Sequence, residues 1–329
     1  MAKYNYCMKL FIKKSLLFTA ILFIFLYITD YAVTKGLRKT GDCFEFQEYS
    51  TWNNIVSSSI DADVLIMGSS RAYRHINPLI IDTILNCKSF NIGMSGGEDF
   101  NKQYIRYMTF EKFNKRPKYI IHQVDYGTLA ISDNDFDERF LPYLSDIDKE
   151  LIDNHLKWVK IHHLKLPLLK YQSQKGQFMQ GLFEFFGIKH CPDIRTKGFY
   201  ATDELWDDTA LNQVLQNDSI EAQKEPSAIK LFDSYLNHCK QNNIKLFLVF
   251  SPIYYKATDF TKNKKEVLNT YHYFSQKYDF PFLDYSADSL CFDTSYFYNA
   301  THLNKEGADI FTLQLAHDIL SPDFDTIKK

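Results

Sequence analysis

Short apolar runs alternate with amphipathic stretches along most of the chain. The apolar runs predict five buried strands, at residues 64–67, 88–92, 119–124, 245–250 and 280–283. Helical spacing of the stretches between them predicts helices over about 77–86, 99–114, 226–242, 261–277 and 304–319. Strands that alternate with helices in this way are typical of a parallel sheet with helices on both faces. The pattern therefore predicts an α/β fold with three layers, α/β/α.

Residues 130–225 interrupt this rhythm with aromatic clusters, mixed helical pieces and loop signals near 192–210. We interpret them as one long insertion in a domain that spans residues 61–329. The carboxyl edge of a parallel sheet is where α/β proteins place their active sites, and we expect the insertion to cover that edge. Long insertions of this kind often act as substrate lids.

The amino terminus carries the longest apolar stretch of the chain. Residues 16–33 form a run of 18 residues broken only by Asp30, close to the roughly 20 that a helix needs to cross a bilayer. Four lysines precede the run, and no convincing cleavage site follows it. We predict a cytoplasmic terminus at 1–14, an uncleaved transmembrane signal anchor at 15–34 and a linker at 35–60, with the remaining chain periplasmic or extracellular. A cleaved signal peptide and a buried core helix are the alternatives.

Composition narrows the function classes. Hydrophobic residues make up 45% and charged residues 24%, as in a folded globular protein, and the net charge of −2 without a long basic block argues against a nucleic-acid partner. The 6 cysteines are widely scattered and show no zinc-ligand spacing. One or two disulfides outside the cytoplasm are compatible with them, but the sequence does not pair them, and buried free thiols are the more ordinary expectation. The adjacent His162 and His163 lie among lysines and leucines, which predicts an exposed helical face and not a metal site.

Three separated segments carry residues suited to one chemistry. Residues 64–74, VLIMGSSRAYR, run from a strand into a helical stretch, and this places Ser70 where a helix amino terminus favours negative charge. Residues 90–97, FNIGMSGG, put three glycines after a strand, and a glycine N–H there is suited to binding an oxyanion. Residues 297–311 carry His302, three residues after Asn299, at a position from which a histidine can take a proton from a serine.

Each segment alone also has an ordinary structural explanation, as a helix cap, a tight turn or a core histidine. Together, GSSR, NIGMSGG and NATHLNKEG resemble the sequence blocks of the SGNH (GDSL-like) hydrolase superfamily over roughly residues 62–129 and 226–320. They look most like its membrane-anchored O-acyltransferase branch, which is similar to the teichoic acid D-alanyl transfer protein and to alginate O-acetyltransferases. The resemblance implies a flavodoxin-like fold, Ser70 as nucleophile and His302 as base. It also implies an oxyanion site formed by the N–H groups of Ser70 and Gly96, with Gly93 as the alternative glycine.

The chain departs from the superfamily's pattern at two positions. Asn299 stands where the pattern has an aspartate that orients the histidine and stabilises its cation, a loss expected to be costly. The strand that usually supplies an oxyanion-binding asparagine here ends in Asp125, which we expect to make a structural contact or to hold Arg71. Three arrangements remain open: a Ser–His dyad, support of His302 by Asp125 or Asp293, and an inactive glycan-binding descendant.

The resemblance implies serine-dependent transfer or hydrolysis of an O-acyl group, with acetyl expected, on an extracytoplasmic polysaccharide. It implies no metal or organic cofactor, and it suggests a membrane-bound O-acyltransferase as partner. A non-catalytic glycan-binding or scaffolding subunit of such a system is the alternative from another functional class.

Overall fold

A computed structural model describes residues 2–43, 47–96, 99–131, 136–216 and 219–320 of the chain. Its centre is a five-stranded parallel sheet with β1 Val64–Met67, β2 Ser89–Asn91, β3 Tyr119–Gln123, β4 Lys245–Phe250 and β5 Phe282–Asp284. The order across the sheet is β2-β1-β3-β4-β5, which is the flavodoxin-like order. All five predicted strands are therefore confirmed. A separate antiparallel pair joins β6 Phe297–Asn299 to β7 His302–Leu303.

The helices follow the predicted alternation and add several that the sequence pattern did not resolve. They are α1 Ala2–Leu37, α2 Tyr49–Val56, α3 Ser70–His75, α4 Pro78–Leu85, α5 Phe100–Phe113, α6 Lys149–His155, α7 Ile161–Lys165, α8 Lys175–Phe185, α9 Thr209–Leu215, α10 Pro226–Gln241, α11 Tyr255–Thr258, α12 Lys264–Tyr278 and α13 Lys305–Leu320. Short 3₁₀ turns lie at Glu138–Tyr143, Leu169–Tyr171, Ser289–Phe292 and Thr294–Tyr296.

The sheet buries both of its faces, as the near-continuous apolar strands require. On one face, Val64 and Ile66 of β1 pack with Phe311 and Leu315 of α13. On the other, the Tyr235 hydroxyl of α10 lies 3.3 Å from the Met67 sulfur, and aromatic rings of α5, α10 and α12 pack together. Because side chains alternate between the faces of a strand, the three-layer α/β/α arrangement follows.

The chain divides into two compact units. One contains the sheet and is built from residues 47–131 and 194–320 within the described ranges. The other combines residues 2–43 with residues 136–193, so the region interpreted as one insertion contributes to both units. The predicted linker contains α2, whose Trp52 and Ile55 are fully buried in the sheet unit.

In the second unit, the carboxyl end of α1 packs against α8 so closely that a Cβ on Gly36 would lie 1.8 Å from the Gly181 carbonyl oxygen. The side chains of Val33 and Leu37 are fully buried there. Cys43 and Cys191 form a disulfide that closes a sequence separation of 148 residues. Within the described part of the chain, one helix, covering Tyr6–Leu37, is long and apolar enough to cross a membrane.

Candidate active site

Ser70 begins α3 directly after the turn that ends β1. Gly68 makes this turn with φ +143, a conformation that favours glycine, and a Cβ there would lie 2.5 Å from the Gln123 carbonyl oxygen. Ser69 caps the helix, because its Oγ accepts a hydrogen bond from the Arg71 N–H at 3.2 Å. Since β1 lies where the strand order reverses, Ser70 stands at the topological switch point of the sheet, a position at which α/β folds bind ligands.

The β6–β7 hairpin brings Asn299 directly opposite His302, with Ala300 and Thr301 as the turn. The Asn299 Oδ1 accepts hydrogen bonds from the backbone N–H groups of Thr301 and His302, each at 3.0 Å. This local turn explains why the spacing of three residues between Asn299 and His302 places their side chains together.

The histidine ring connects the hairpin to the nucleophile candidate. Its Nε2 lies 2.8 Å from the Ser70 Oγ, and its Nδ1 lies 3.1 Å from both the Asn299 Oδ1 and the Thr301 Oγ1. Because the Asn299 amide oxygen can only accept a hydrogen bond, the His302 Nδ1 carries the ring proton and donates this hydrogen bond. In this tautomer the lone pair of the His302 Nε2 points at the Ser70 Oγ, as a general base requires.

A second histidine holds the hairpin in place. The His75 Nε2 accepts the backbone N–H of Leu303 at 3.0 Å, so its Nδ1–H donates to the Ser251 Oγ at 3.0 Å. His75 is fully buried, and burial lowers its pKa well below the ordinary value, with the charges of nearby basic groups adding to the effect. A neutral His75 thus links the end of α3 and the end of β4 to the residue that follows His302.

The electrostatics of the site disfavour a charged His302. Burial first, and then the positive charges of Arg74 and Arg71, lower the pKa of His302 to about 3. The Arg74 guanidinium lies 4.6 Å from the centre of the Tyr298 ring, and that ring is stacked on His302 with centroids 5.5 Å apart. The half-buried imidazole is therefore neutral at pH 7, and its cation is destabilised by roughly 3–5 kcal/mol relative to a free histidine.

The loop after β2, which carries the glycines, is fixed by a buried ion pair. Arg106 and Glu48 have no exposed side-chain surface and form a salt bridge. Arg106 also donates to the carbonyl oxygens of Ile92 and Gly93 at 3.2 and 3.0 Å, while Glu48 accepts the Ser95 N–H. This network connects the loop to residues immediately before α2.

The two candidate oxyanion glycines have different surroundings. Gly93 packs against α3, where a Cβ would lie 2.8 Å from the Tyr73 nitrogen, and its N–H donates to the Asn91 side chain at 2.9 Å. Gly96 has φ +56 with open space at its Cβ position, and its N–H has no acceptor among the described residues. These surroundings favour the Gly96 N–H over the Gly93 N–H as the candidate donor to an oxyanion. Gly97 lies outside the described residues.

The carboxylates considered as support for His302 lie elsewhere in the network. Asp125 forms a buried ion pair with Arg71, as expected from the sequence, and Arg71 also donates to the Ser251 carbonyl oxygen at 3.1 Å. Asp293 caps a 3₁₀ turn through the Ser295 N–H at 2.9 Å, and this hydrogen bond lowers the pKa of Asp293. Within the described ranges, neither carboxylate is hydrogen-bonded to the imidazole.

The sequence patterns do not single out two residues of the site, Gln123 and Tyr200. Gln123 holds the Ser69 N–H and hydroxyl through its Oε1, at 3.2 and 3.0 Å, from the last position of β3. Tyr200 lies within the predicted insertion, yet its ring lies 5.0 Å from the Arg74 guanidinium. The one available clue was the polar residue Gln123 at the end of a buried strand, because buried polar groups are expected to have partners.

Comparison with known proteins adds little to this geometry. No family model and no curated protein matches the chain. Among solved structures, the chain is similar to a crystal structure from Bacteroides fragilis described as a "putative acylhydrolase". The two have 12% sequence identity and a TM-score of 0.37, over 84% of this chain and 97% of that one. A likeness of this size supports no conclusion about fold or activity.

Proposed function

We propose that this protein is a membrane-anchored serine esterase or O-acyltransferase that acts on O-acyl groups, acetyl above all, of an extracytoplasmic polysaccharide. The observation that carries the proposal is the 2.8 Å contact between the Ser70 Oγ and the His302 Nε2 at a helix amino terminus. A paired hydroxyl and neutral imidazole, with the other ring nitrogen held by Asn299, is the arrangement that nucleophilic acyl transfer needs.

In the proposed reaction, the Ser70 Oγ attacks the ester carbonyl carbon as its proton moves to the His302 Nε2. The N–H groups of Ser70 and Gly96 stabilise the negative charge on the carbonyl oxygen. The C–O bond to the leaving alcohol then breaks, and His302 returns the proton to that alcohol. An incoming sugar hydroxyl or water gives its proton to the same nitrogen as its oxygen bonds to the acyl carbon. The bond from that carbon to the Ser70 Oγ then breaks, and His302 returns the proton to the Oγ, which regenerates the free hydroxyl of Ser70.

The extracytoplasmic location is supported by two features of the unit that contains α1. The first is the helix at Tyr6–Leu37, which has the length and composition of a membrane span. The second is the Cys43–Cys191 disulfide, since disulfides persist mainly in oxidising compartments. A membrane-bound O-acyltransferase that delivers acyl groups across the bilayer is the partner that we propose.

The test is turnover of acetyl esters by the full-length protein and by Ser70→Ala, combined with labelling by a fluorophosphonate probe. Wild type should hydrolyse the ester and take up the label at Ser70, while the variant loses both and keeps its unfolding temperature. Ser69→Ala is the matched control, because it alters the adjacent hydroxyl without removing the nucleophile. Turnover that persists in Ser70→Ala would exclude this mechanism. An acceptor sugar that suppresses hydrolysis while becoming acylated would identify a transferase.

One observation favours a second candidate, a glycan-binding subunit without catalysis. Arg71 and Arg74 lower the pKa of His302 while Asn299 offers no compensating charge, so the site lacks the usual stabilisation of an imidazolium. This candidate predicts binding of acetylated glycan fragments by calorimetry, with no turnover and no label on Ser70.

A further inference from the structure

The unit that contains α1 contacts this helix at Tyr27, within the apolar run. The large apolar side chains of α1 are exposed before this position, as Phe18 at 67% illustrates, and Ile28 and Tyr31 after it are still 62% and 61% exposed. At Tyr27 the helix meets the rest of its unit, and the Tyr27 hydroxyl donates to the Lys165 carbonyl oxygen at 3.1 Å. The contact places the end of α7 beside the last part of the apolar run.

The part of α1 between its last lysines and the Tyr27 contact is too short for a full membrane span. Lys13 and Lys14 mark its cytoplasmic end, and from Lys14 to Tyr27 the helix rises 13 residues, or about 20 Å. The hydrocarbon core is about 30 Å thick, so Tyr27 would lie some 10 Å below its outer boundary. Snorkelling of the lysine side chains reduces this depth of Tyr27 by about half, while any tilt of the helix increases it. Residues beside Tyr27 are therefore at membrane depth.

The surface beside Tyr27 has the chemistry of a lipid interface. We define the collar segment as residues 157–166, which include α7. Its Ile161, Leu164 and Leu166 side chains are 60%, 40% and 44% exposed, an unusual density of bare aliphatic groups for a surface in water. Lys157, Lys160 and Lys165 stand between them, and residues 154–183 contain 5 lysines and no acidic residue. Among the residues that the structure describes, Lys157, Lys160 and Lys165 form no ion pair, and aliphatic groups interspersed with such lysines suit anionic lipid headgroups.

The negative charge of Asp30, three residues after Tyr27 on α1, is compensated by an ion pair. Asp30 accepts the Leu168 N–H at 2.9 Å and pairs with Lys170 at 3.1 Å. An acidic residue at membrane depth is expected to be paired in this way, because an isolated charge there is costly. The same two bonds fix residues 168–170, just beyond the collar segment, to α1.

We propose that the collar segment lies in the outer lipid–water interface of the membrane that α1 spans. Its aliphatic side chains enter the acyl boundary, and its lysines contact lipid phosphates. The inference rests on the anchoring proposed above and adds that the unit that contains α1 is partly immersed in the membrane surface.

Spin labels on the full-length protein in vesicles of phosphatidylcholine and phosphatidylglycerol test this inference. In a Cys7→Ser background, which removes the exposed thiol, labels are attached to Ile161→Cys and Leu164→Cys. Accessibility to oxygen, which partitions into lipid, is compared with accessibility to a water-soluble nickel chelate. Phe18→Cys reports the anchor itself, and Leu205→Cys, at a side chain 86% exposed in the sheet unit, reports water.

The collar labels should favour oxygen over nickel and report a depth between those of the Phe18 and Leu205 labels. The inference is overturned if Phe18 is deep while the collar labels are as accessible to nickel as Leu205. It is also overturned if the collar labels are shielded from both reagents, which would mean that protein covers them. An aqueous Phe18 label would instead overturn the proposed anchor, and the collar with it.

Discussion

Replacement of Asn299 by aspartate should convert a weak general base into a stronger one. The substitution is isosteric, and the Asn299 Oδ1 already accepts the His302 Nδ1–H at 3.1 Å and two backbone N–H groups. A carboxylate oxygen can accept all three bonds, so the hairpin should keep its conformation. The change therefore adds a negative charge beside the ring with little change in shape.

The expected magnitude follows from the distance. A unit charge 3.1 Å from an imidazolium contributes about 5 kcal/mol at an effective dielectric constant of about 20, or at most about 4 pKa units. The partial exposure of the site and the cost of burying the new carboxylate reduce this to about 2 units. The pKa of His302 should then rise from about 3 to about 5. Stabilising the imidazolium by about 2 pKa units, or about 2.7 kcal/mol, raises the rate by at most about 10²-fold when the proton is fully transferred in the transition state.

The assay is the pH dependence of kcat/KM for hydrolysis of p-nitrophenyl acetate. In wild type, His302 stays neutral above about pH 3, so its titration should leave the profile flat between pH 5 and 8. In Asn299→Asp the rate should be higher at pH 7 and should fall as pH drops through about 5. Asn299→Asp combined with Ser70→Ala is the control, and it should lose the gain. An unchanged rate and profile in a folded Asn299→Asp variant would refute the argument that the missing carboxylate limits this site.

Three further predictions concern stability. Glu48→Gln removes the carboxylate that forms ion pairs with the buried Arg106 and Arg195 side chains, so the free energy of unfolding in urea should fall by about 3–5 kcal/mol, and a loss below about 1 kcal/mol would contradict this. Reduction of the Cys43–Cys191 disulfide should cost about 2–5 kcal/mol by the same measurement, and Cys43→Ser should then be insensitive to reductant. Burial lowers the pKa of His122 to about 3. The contribution of His122 to the free energy of unfolding is therefore complete above about pH 6.5 and declines below that pH by about 1.4 kcal/mol per pH unit. The variant His122→Leu should flatten this slope, and an unchanged slope would refute the prediction.

The site residues that can be located from the sequence lie in elements that neighbouring residues determine. The strand at Val64–Met67 is apolar at every position, and the turn at Gly68 needs a residue that tolerates positive φ. A few neighbouring residues therefore determine both the strand and the turn. The Asn299–His302 contact is equally local, because it spans one two-residue turn. The contact of Ser70 with His302 joins residues 232 positions apart, and it was expected only through a resemblance to a family in which strand ends meet.

The tertiary structure decided what depends on distant partners. Glu48 lies in a stretch predicted to be a linker, and its role follows from Arg106, 58 residues away, which no local pattern reveals. The same holds for Tyr200, whose contact with Arg74 lies in a region expected to be an insertion. The pKa of a histidine depends on burial and on charges brought close by folding, which residue spacing does not encode.

At the amino terminus the sequence determined an apolar helix, because hydrophobicity is a property of each residue in turn. Only the folded unit showed where the rest of the chain contacts that helix. The Tyr27 and Asp30 contacts depend on residues 165–170, nearly 140 positions further along the chain. Sequence alone thus determined the elements and the chemistry available at their ends, while packing decided which of those groups meet and in which protonation state they meet.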